Sequence, residues 1–176
     1  MRFEPIPLSG AYLVHLDPRV DPRGTFARAF CAQEFAAHGL ETSFVQANIS
    51  TNVHAGTVRG MHFQRAPHSE VKLVRCIKGS IYDVVVDMRE GSPTRLRWFG
   101  AELSEENGLM MVVPKGFAHG YQALSDGATA FYMVSSFYAP EFEGGLRFDD
   151  PKLSIRWPRK ISDMSDKDAK WPLLSL

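Results

Sequence analysis

The chain has 176 residues, the size of one large domain, and 44% of them are hydrophobic, which is enough for a buried core. Its twenty basic and twenty acidic residues give zero net charge, which argues against a nucleic-acid-binding protein because such a surface needs an excess of positive charge. No apolar run approaches the roughly 20 residues of a membrane helix, the N-terminus lacks a signal peptide's apolar stretch, and Cys31 and Cys76 have no CxxC spacing. We therefore expect a single cytoplasmic domain over residues 1–176, with reduced thiols, no nucleic-acid partner and no membrane contact.

Strand patterns dominate the chain. In chain order, the expected strands cover residues 11–16, 43–50, 58–64, 72–77, 81–88, 97–103, 109–113 and 130–138. One short helix is expected over residues 32–38, ended by Gly39, and a helical turn is expected to begin at Ser165. Turn residues recur about every 8–12 positions, a rhythm typical of a sandwich or a closed barrel.

Alternation of side chains along these strands predicts which polar residues face the interior. Lys72 shares a face with apolar residues, where a cation is costly unless it is paired or used. Arg59 has the wrong parity to join His62, unless Gly60 carries a bulge or a bend. The barrel interior is expected to collect His62, Gln64, Lys72, His119, Tyr132 and Tyr138.

A metal site is one interpretation of this cavity. The segment PKGFAH at 114–119 is similar to the second motif of the cupin barrels, and metal-binding cupins combine its His with an HxH pair and a Glu. Here Gln64 stands in place of the second His of that pair, and a neutral amide oxygen is a poor ligand for a transition metal. We therefore favour a cupin barrel without metal; a metal-dependent cupin enzyme using His62, Glu70 and His119 is the alternative.

Ten short motifs keep their order and spacing over nearly the whole chain. They are DPRGTF (21–26), QANIS (46–50), RGMHFQ (59–64), KLV (72–74), DVVVDMR (83–89), SPT (92–94), GFAHG (116–120), DDP (149–151), WP (157–158) and SDKD (165–168). Together they closely resemble the dTDP-4-dehydrorhamnose 3,5-epimerase family. The resemblance implies a mainly β protein, a cupin or jelly-roll β-barrel with a few short helices, which works as a homodimeric isomerase without cofactor or metal. It also implies a nucleotide-diphosphate sugar as substrate, a 4-keto-6-deoxy-hexose on the dTDP-rhamnose route of deoxysugar and cell-surface polysaccharide biosynthesis.

The same resemblance assigns roles to individual residues. His62 matches the base that abstracts a proton, Asp168 the carboxylate that orients it, and Tyr132 the acid on the opposite face. Lys72 matches the cation beside the developing enolate. The residues that match nucleotide and sugar contacts are Arg23, Phe26, Gln46, Asn48, Arg59, His119, Tyr138, Glu143 and Lys167, and the Arg23 segment is expected to reach across the dimer.

The chemistry of the residues agrees with this assignment. A 4-ketone acidifies the hydrogens on C3 and C5, so epimerisation needs a base, an acid on the other face and a positive group near the enolate oxygen. Histidine titrates near neutral pH and suits the base, and an inward-facing lysine such as Lys72 suits the cation. Arg23 and Arg59 are suited to a pyrophosphate, which arginine binds in a bidentate manner.

One position departs from the family pattern. Where the family motif runs D-x-R-G-x-F-x-E, this chain carries Arg28 in place of the Glu. That carboxylate belongs to the nucleotide-binding segment in the family, so the nucleotide and the sugar stay open. A C3-only or C5-only epimerase acting on another nucleotide sugar, and a sugar-nucleotide-binding cupin without turnover, are further alternatives.

Overall fold

Residues 1–175, which the computed structural model describes, form two antiparallel sheets and a separate hairpin, and position 176 of the expected domain lies outside this description. In chain order the strands are β1 (Arg2–Pro5), β2 (Tyr12–His15), β3 (Arg19–Asp21), β4 (Gly24–Phe26), β5 (Gln46–Thr51), β6 (Val58–Gln64), β7 (Lys72–Lys78), β8 (Ser80–Asp87), β9 (Trp98–Ser104), β10 (Met110–Val113), β11 (Phe117–Ala123), β12 (Thr129–Val134) and β13 (Glu143–Gly145). The helices are α1 (Ala32–Ala37) and α2 (Asp166–Ala169), with one 3₁₀ turn over Pro140–Phe142. One sheet has the order β1-β2-β10-β7-β12-β5 and the other the order β13-β6-β11-β8-β9, while β3 and β4 form the hairpin.

Apolar side chains from both sheets meet in the space between them. Val74 and Met111 of the six-stranded sheet pack in one buried cluster with Ile81, Val85 and Phe117 of the five-stranded sheet. Along each strand these inward side chains alternate with outward ones, as the pleat requires. Two facing antiparallel sheets of this kind are typical of a jelly-roll barrel, and the predicted mainly β class is confirmed.

The outer faces of both sheets are also partly covered. The C-terminal part of the chain packs Leu146 and Leu153 against Met61 and Val84 on the outside of the five-stranded sheet. Helix α1 buries Phe35 against the outside of the other sheet. Full burial of one such side chain stabilises the fold by about 1.5–3 kcal/mol. Of the helices in residues 1–175, none combines the length and hydropathy that crossing a membrane requires.

The eight expected strands are all present, but the last one ends earlier than expected. The alternation predicted a strand over residues 130–138, whereas β12 ends at Val134. Beyond Ser135 the backbone donors turn to side chains instead of a neighbouring strand: the Tyr138 N–H donates to Gln46 Oε1 and the Ala139 N–H to Gln64 Oε1. Tyr138 therefore lies on a loop, and its expected place on the inner face of a strand is wrong.

Candidate active site

A polar cavity between the two sheets consists of two adjoining pockets of about 260 and 230 Å³. His62, Lys72 and Tyr132 line both pockets and so mark their junction. His62 comes from β6 of the five-stranded sheet, whereas Lys72 and Tyr132 come from β7 and β12 of the six-stranded sheet. A ligand group at this junction therefore has an imidazole on one side and a cation and a phenol on the other.

His62 forms a dyad with Asp168, a carboxylate that lies 106 residues further along the chain. The His62 Nε2 and Asp168 Oδ1 atoms are 2.6 Å apart, and the second carboxylate oxygen accepts a hydrogen bond from the Gly60 N–H at 3.1 Å. Ser165 caps the first turn of α2 by accepting from the Asp168 N–H, which fixes the carboxylate on that turn. Since the carboxylate accepts the Nε2 proton, the Nδ1 atom of His62 is the nitrogen left free to act as a base.

The Asp168 carboxylate is buried and still ionised. Burial acts to raise its pKa, but the hydrogen bond and the charge of His62, followed by the Gly60 N–H, outweigh burial and bring the pKa below its ordinary value. An ionised carboxylate in this place can both orient the imidazole and stabilise an imidazolium.

Tyr132 faces the cavity as a neutral phenol. It shares the inner face of β12 with Ala130 and Val134, as alternation predicts. Burial, reinforced by the nearby Tyr121 and Glu70, raises the pKa of its hydroxyl. At neutral pH Tyr132 therefore carries the proton that an acid on this side of the cavity must supply.

Lys72 is paired with Glu70, a partner that strand alternation does not predict. The Lys72 Nζ and Glu70 Oε1 atoms are 3.0 Å apart, and the two side chains are only 12% and 10% exposed. Glu70 also lies 3.3 Å from Gln64 Nε2. The ion pair with Glu70 thus offsets the free energy of desolvating the Lys72 ammonium. The cation is held on the wall that both pockets share.

Arg59 joins the cavity through a bulge, which confirms the role predicted for Gly60. In the pairing of β6 with β11, His62 lies opposite His119 and Arg59 lies opposite Tyr121, so β6 contains one extra residue between these pairs. Gly60 has a φ of +125°, and a Cβ atom there would lie 2.5 Å from a backbone atom of Gly120. The bulge turns Arg59 inward, where its Nε donates to Asn52 Oδ1 at 2.8 Å.

His119 forms a second, more deeply buried dyad with Asp83. Their Nε2 and Oδ1 atoms are 2.7 Å apart, and Asp83 is fully buried. Among residues 1–175, no donor reaches the other Asp83 oxygen. Sequence reasoning includes Asp83 in a motif but does not single it out. Asp83 shares the inner face of β8 with Ile81 and Val85 and could have been found in that way.

The rim of the first pocket is built from three segments. The Tyr138 hydroxyl donates to Glu143 Oε2 at 3.1 Å, and the Lys167 ammonium pairs with the same oxygen. This hydrogen bond to Glu143 raises the pKa of Lys167. Beside this rim, Gln46 and Asn48 of β5 line the wall of the pocket. The rim thus joins the loop after β12, strand β13 and helix α2.

Two predicted contact residues lie away from this cavity. Arg23 and Phe26 belong to the hairpin of β3 and β4, where the Arg23 side chain is 90% exposed and binds Asp21. Phe26 is 72% exposed and lines a separate pocket together with Arg28. Arg28 donates to Glu34 at 3.1 Å, so the departure from the family motif forms a local ion pair.

The donors weighed as metal ligands are engaged elsewhere. His62 and His119 bind Asp168 and Asp83, and Glu70 binds Lys72. The Gln64 amide bonds to the loop after β12, accepting from the Ala139 N–H and donating to the Phe137 carbonyl. Within residues 1–175, no group of three His, Cys, Asp or Glu side chains is placed to hold a metal ion.

Comparison with known proteins identifies the relatives of this chain. The dTDP-4-dehydrorhamnose 3,5-epimerase of Sinorhizobium fredii is 40% identical over 99% of this chain and 90% of that protein, and the dTDP-4-dehydrorhamnose 3-epimerase of Streptomyces niveus is 38% identical over 99% and 84%. The crystal structure of dTDP-6-deoxy-D-glucose-3,5-epimerase from Legionella pneumophila in complex with dTDP-4-keto-L-rhamnose covers 98% of this chain and 92% of its own, with a TM-score of 0.92 and 36% identity. These likenesses confirm the predicted fold and enzyme class. The model of the dTDP-4-dehydrorhamnose 3,5-epimerase family matches residues 5–175, and the chain belongs to that family.

Proposed function

We propose that this protein epimerises a nucleotide-linked 4-keto-6-deoxy-hexose at C3, C5 or both, in a conversion of the dTDP-4-dehydro-6-deoxy-D-glucose to dTDP-4-dehydro-L-rhamnose type. The observation that carries the proposal is the junction of the two pockets, where the His62–Asp168 dyad faces Tyr132 and Lys72 across the cavity. A base and an acid on opposite walls are what inversion at carbon requires, because the proton must leave from one face and return to the other.

In the proposed mechanism, His62 Nδ1 removes the proton from a carbon next to the ketone. The electrons of the C–H bond form a C=C bond, and the C4 oxygen becomes an enolate beside the Lys72 ammonium. Tyr132 then donates its proton to the opposite face of the carbon, and the imidazolium and the tyrosinate return to their starting states by exchange with water. A positioned acid or base of this kind contributes about 10²–10⁴-fold in rate.

The nucleotide diphosphate is proposed to lie along the rim. Arg59 and Lys167 line the second pocket and supply positive charge for the phosphates. Gln46, Asn48 and Tyr138 line the first pocket and offer amide groups and an aromatic face to the nucleoside. We assign His119 to the sugar, since it lines the second pocket together with His62 and Tyr132.

The arrangement of Arg23 and Phe26 supports a homodimer in the proposed function. Both residues extend from the hairpin into solvent, and the neighbouring Val20 is 76% exposed. An almost wholly apolar groove of about 230 Å³ lies on the outer face of the six-stranded sheet, with Leu73 and Phe131 in its wall. A second copy of the chain would cover such surfaces and bring Arg23 and Phe26 to the partner's cavity.

Cys31 and Cys76 are free thiols, which supports a reducing compartment, and we propose the cytoplasm.

The test is proton exchange in D₂O. The purified protein is incubated with dTDP-4-keto-6-deoxyglucose, and the product is followed by NMR. Deuterium at both C3 and C5 is the result expected of a double epimerase, and deuterium at one position is that of a mono-epimerase. The proposal is wrong if neither position exchanges with any nucleotide form of the sugar, and stoichiometric bound iron or zinc in the active protein would favour the metal-dependent alternative.

A further inference from the structure

Trp171 lies directly behind the His62–Asp168 dyad. Its ring meets the His62 ring edge-on, with centroids 6.3 Å apart and an angle of 68° between the planes. The indole also covers Gly145 of β13, and Gly145 is the residue paired with His62 across the two strands. Trp171 thus touches both the histidine and the backbone beside it, without lining either pocket of the cavity.

The indole N–H of Trp171 lies near the Asp168 carboxylate. It is buried, and no acceptor in residues 1–175 meets regular hydrogen-bond geometry with it. It nevertheless acts on Asp168: burial tends to raise the pKa of that carboxyl, whereas His62, the Gly60 N–H and, most weakly, the Trp171 N–H lower it. The indole N–H therefore lies near the carboxylate that orients the base, without a regular hydrogen bond to it.

Lys167 connects the same indole to the rim. Its ammonium lies 5.8 Å from the centroid of the Trp171 ring, within the range of a cation–π contact, and also binds Glu143. A single side chain therefore touches the dyad on one side and a proposed phosphate contact on the other.

We infer that Trp171 is a positioning residue for the catalytic base, holding the Asp168 carboxylate and the His62 ring in the geometry that leaves Nδ1 facing the substrate. The inference rests on the proposed function, in which His62 abstracts a proton. It accounts for the place of the indole, whose ring packs edge-on against the imidazole and whose N–H lies near the Asp168 carboxylate.

Gly145 provides an independent way to move the indole. A Cβ atom at this position would lie 2.1–2.4 Å from three atoms of the indole, and the backbone of Gly145 is outside the left-handed region, so alanine itself is tolerated there. Gly145→Ala should therefore displace the Trp171 ring, although His62, Asp168 and Trp171 themselves are not substituted.

The experiment compares Trp171→Phe and Gly145→Ala with the wild type. Trp157→Phe is the matched control, because the Trp157 N–H donates to the Phe148 carbonyl at 3.0 Å, away from the cavity. Steady-state rates are measured against pH, and the His62 ring is titrated by NMR in the absence of substrate.

Both test variants should lower kcat by about threefold to tenfold with KM within a factor of two, since an orienting contact is lost and no substrate contact is removed. A carboxylate that loses the nearby indole N–H holds the proton of the dyad more tightly, so the acid limb of the rate profile and the NMR midpoint should both move to higher pH. Trp157→Phe should coincide with the wild type.

The inference is overturned if Trp171→Phe and Gly145→Ala keep the wild-type pH profile and NMR midpoint, even if their melting temperatures fall, because that result describes a purely structural tryptophan. Absence of turnover in the wild type would instead refute the proposed function. The NMR titration still decides the role of Trp171 in that case, since it requires no substrate.

Discussion

Substitution of His62 should remove proton transfer and leave nucleotide binding in place. It lies at the junction of the two pockets, and the proposed nucleotide contacts come from other segments. His62→Ala should abolish deuterium exchange at C3 and C5 while dTDP still binds, as measured by titration calorimetry. His15→Ala is the matched control, because His15 binds Glu4 at the surface. Loss of the folded state on circular dichroism, or exchange that persists, would contradict the assignment of His62 as the base.

Tyr132 should control inversion and leave proton abstraction in place. In Tyr132→Phe, His62 can still remove a proton, exchange it with solvent and return deuterium to the same face. We expect epimerised product to fall by about 10²–10⁴-fold while deuterium still enters the substrate with retention of configuration. Tyr82→Phe is the control, since Tyr82 packs on the outer face of the sheet. Equal loss of exchange and inversion would mean that Tyr132 has another role.

At the scale of elements, the turn after β8 is held by one buried carboxylate. Asp87 is fully buried and accepts hydrogen bonds from the Arg89 guanidinium, Ser92 Oγ and Thr94 Oγ1. Burial acts to raise the pKa of Asp87, but these donors outweigh it and hold the pKa well below its ordinary value. A carboxyl with a lowered pKa in the folded state stabilises the protein above its unfolded pKa, and this stabilisation is lost as pH falls toward the folded pKa.

Asp87→Asn should therefore lower the free energy of unfolding at pH 7 by about 1.5–3 kcal/mol, the range for hydrogen bonds to a charged group. The difference from the wild type should shrink as pH falls below the ordinary carboxyl value of 3.8. Urea unfolding at several pH values measures both effects. Asp149→Asn, which breaks an exposed pair with Arg147, should change stability by less than about 1 kcal/mol. A pH-independent difference for Asp87→Asn would show that its charge is not what stabilises the turn.

The sequence predicts the strands and the side chains on their inner faces better than it predicts which side chains contact one another. Alternation places His62, Lys72 and Tyr132 correctly, because the pleat repeats every two residues and needs only local information. It also allows the bulge at Gly60 to be anticipated. It cannot pair Lys72 with Glu70, because that contact depends on how the chain bends before β7.

Contacts between distant segments are also beyond the reach of strand patterns. The Asp168 carboxylate reaches His62 only because the C-terminal segment folds back over the five-stranded sheet, and the family motifs, not the periodicity, pointed to it. The segment after β12 was predicted wrongly for the same reason. Its path is set by the side chains of Gln46 and Gln64, which come from two other strands.

For the whole molecule, the position of the β3–β4 hairpin decides whether one chain makes a complete site. Arg23 projects into solvent from this hairpin, whereas His62 lies in the cavity. If the hairpin serves the partner's cavity, a heterodimer of an Arg23→Ala chain and a His62→Ala chain contains one intact site, made from the His62 of the first chain and the Arg23 of the second. Purified through two different tags, it should show about half the activity of the wild-type dimer, although each variant homodimer has little.

The reciprocal heterodimer provides the contrast. A wild-type chain paired with a chain carrying both substitutions should be nearly inactive, because its one good His62 meets the partner that lacks Arg23. If each chain completed its own site, the two heterodimers would exchange their activities: the first would be inactive and the second would keep about half. Both heterodimers carry the same two substitutions and differ only in how these are distributed between the chains. Unequal folding of the variants therefore cannot explain which of the two heterodimers is active. A monomeric protein in sedimentation experiments would likewise contradict the shared site.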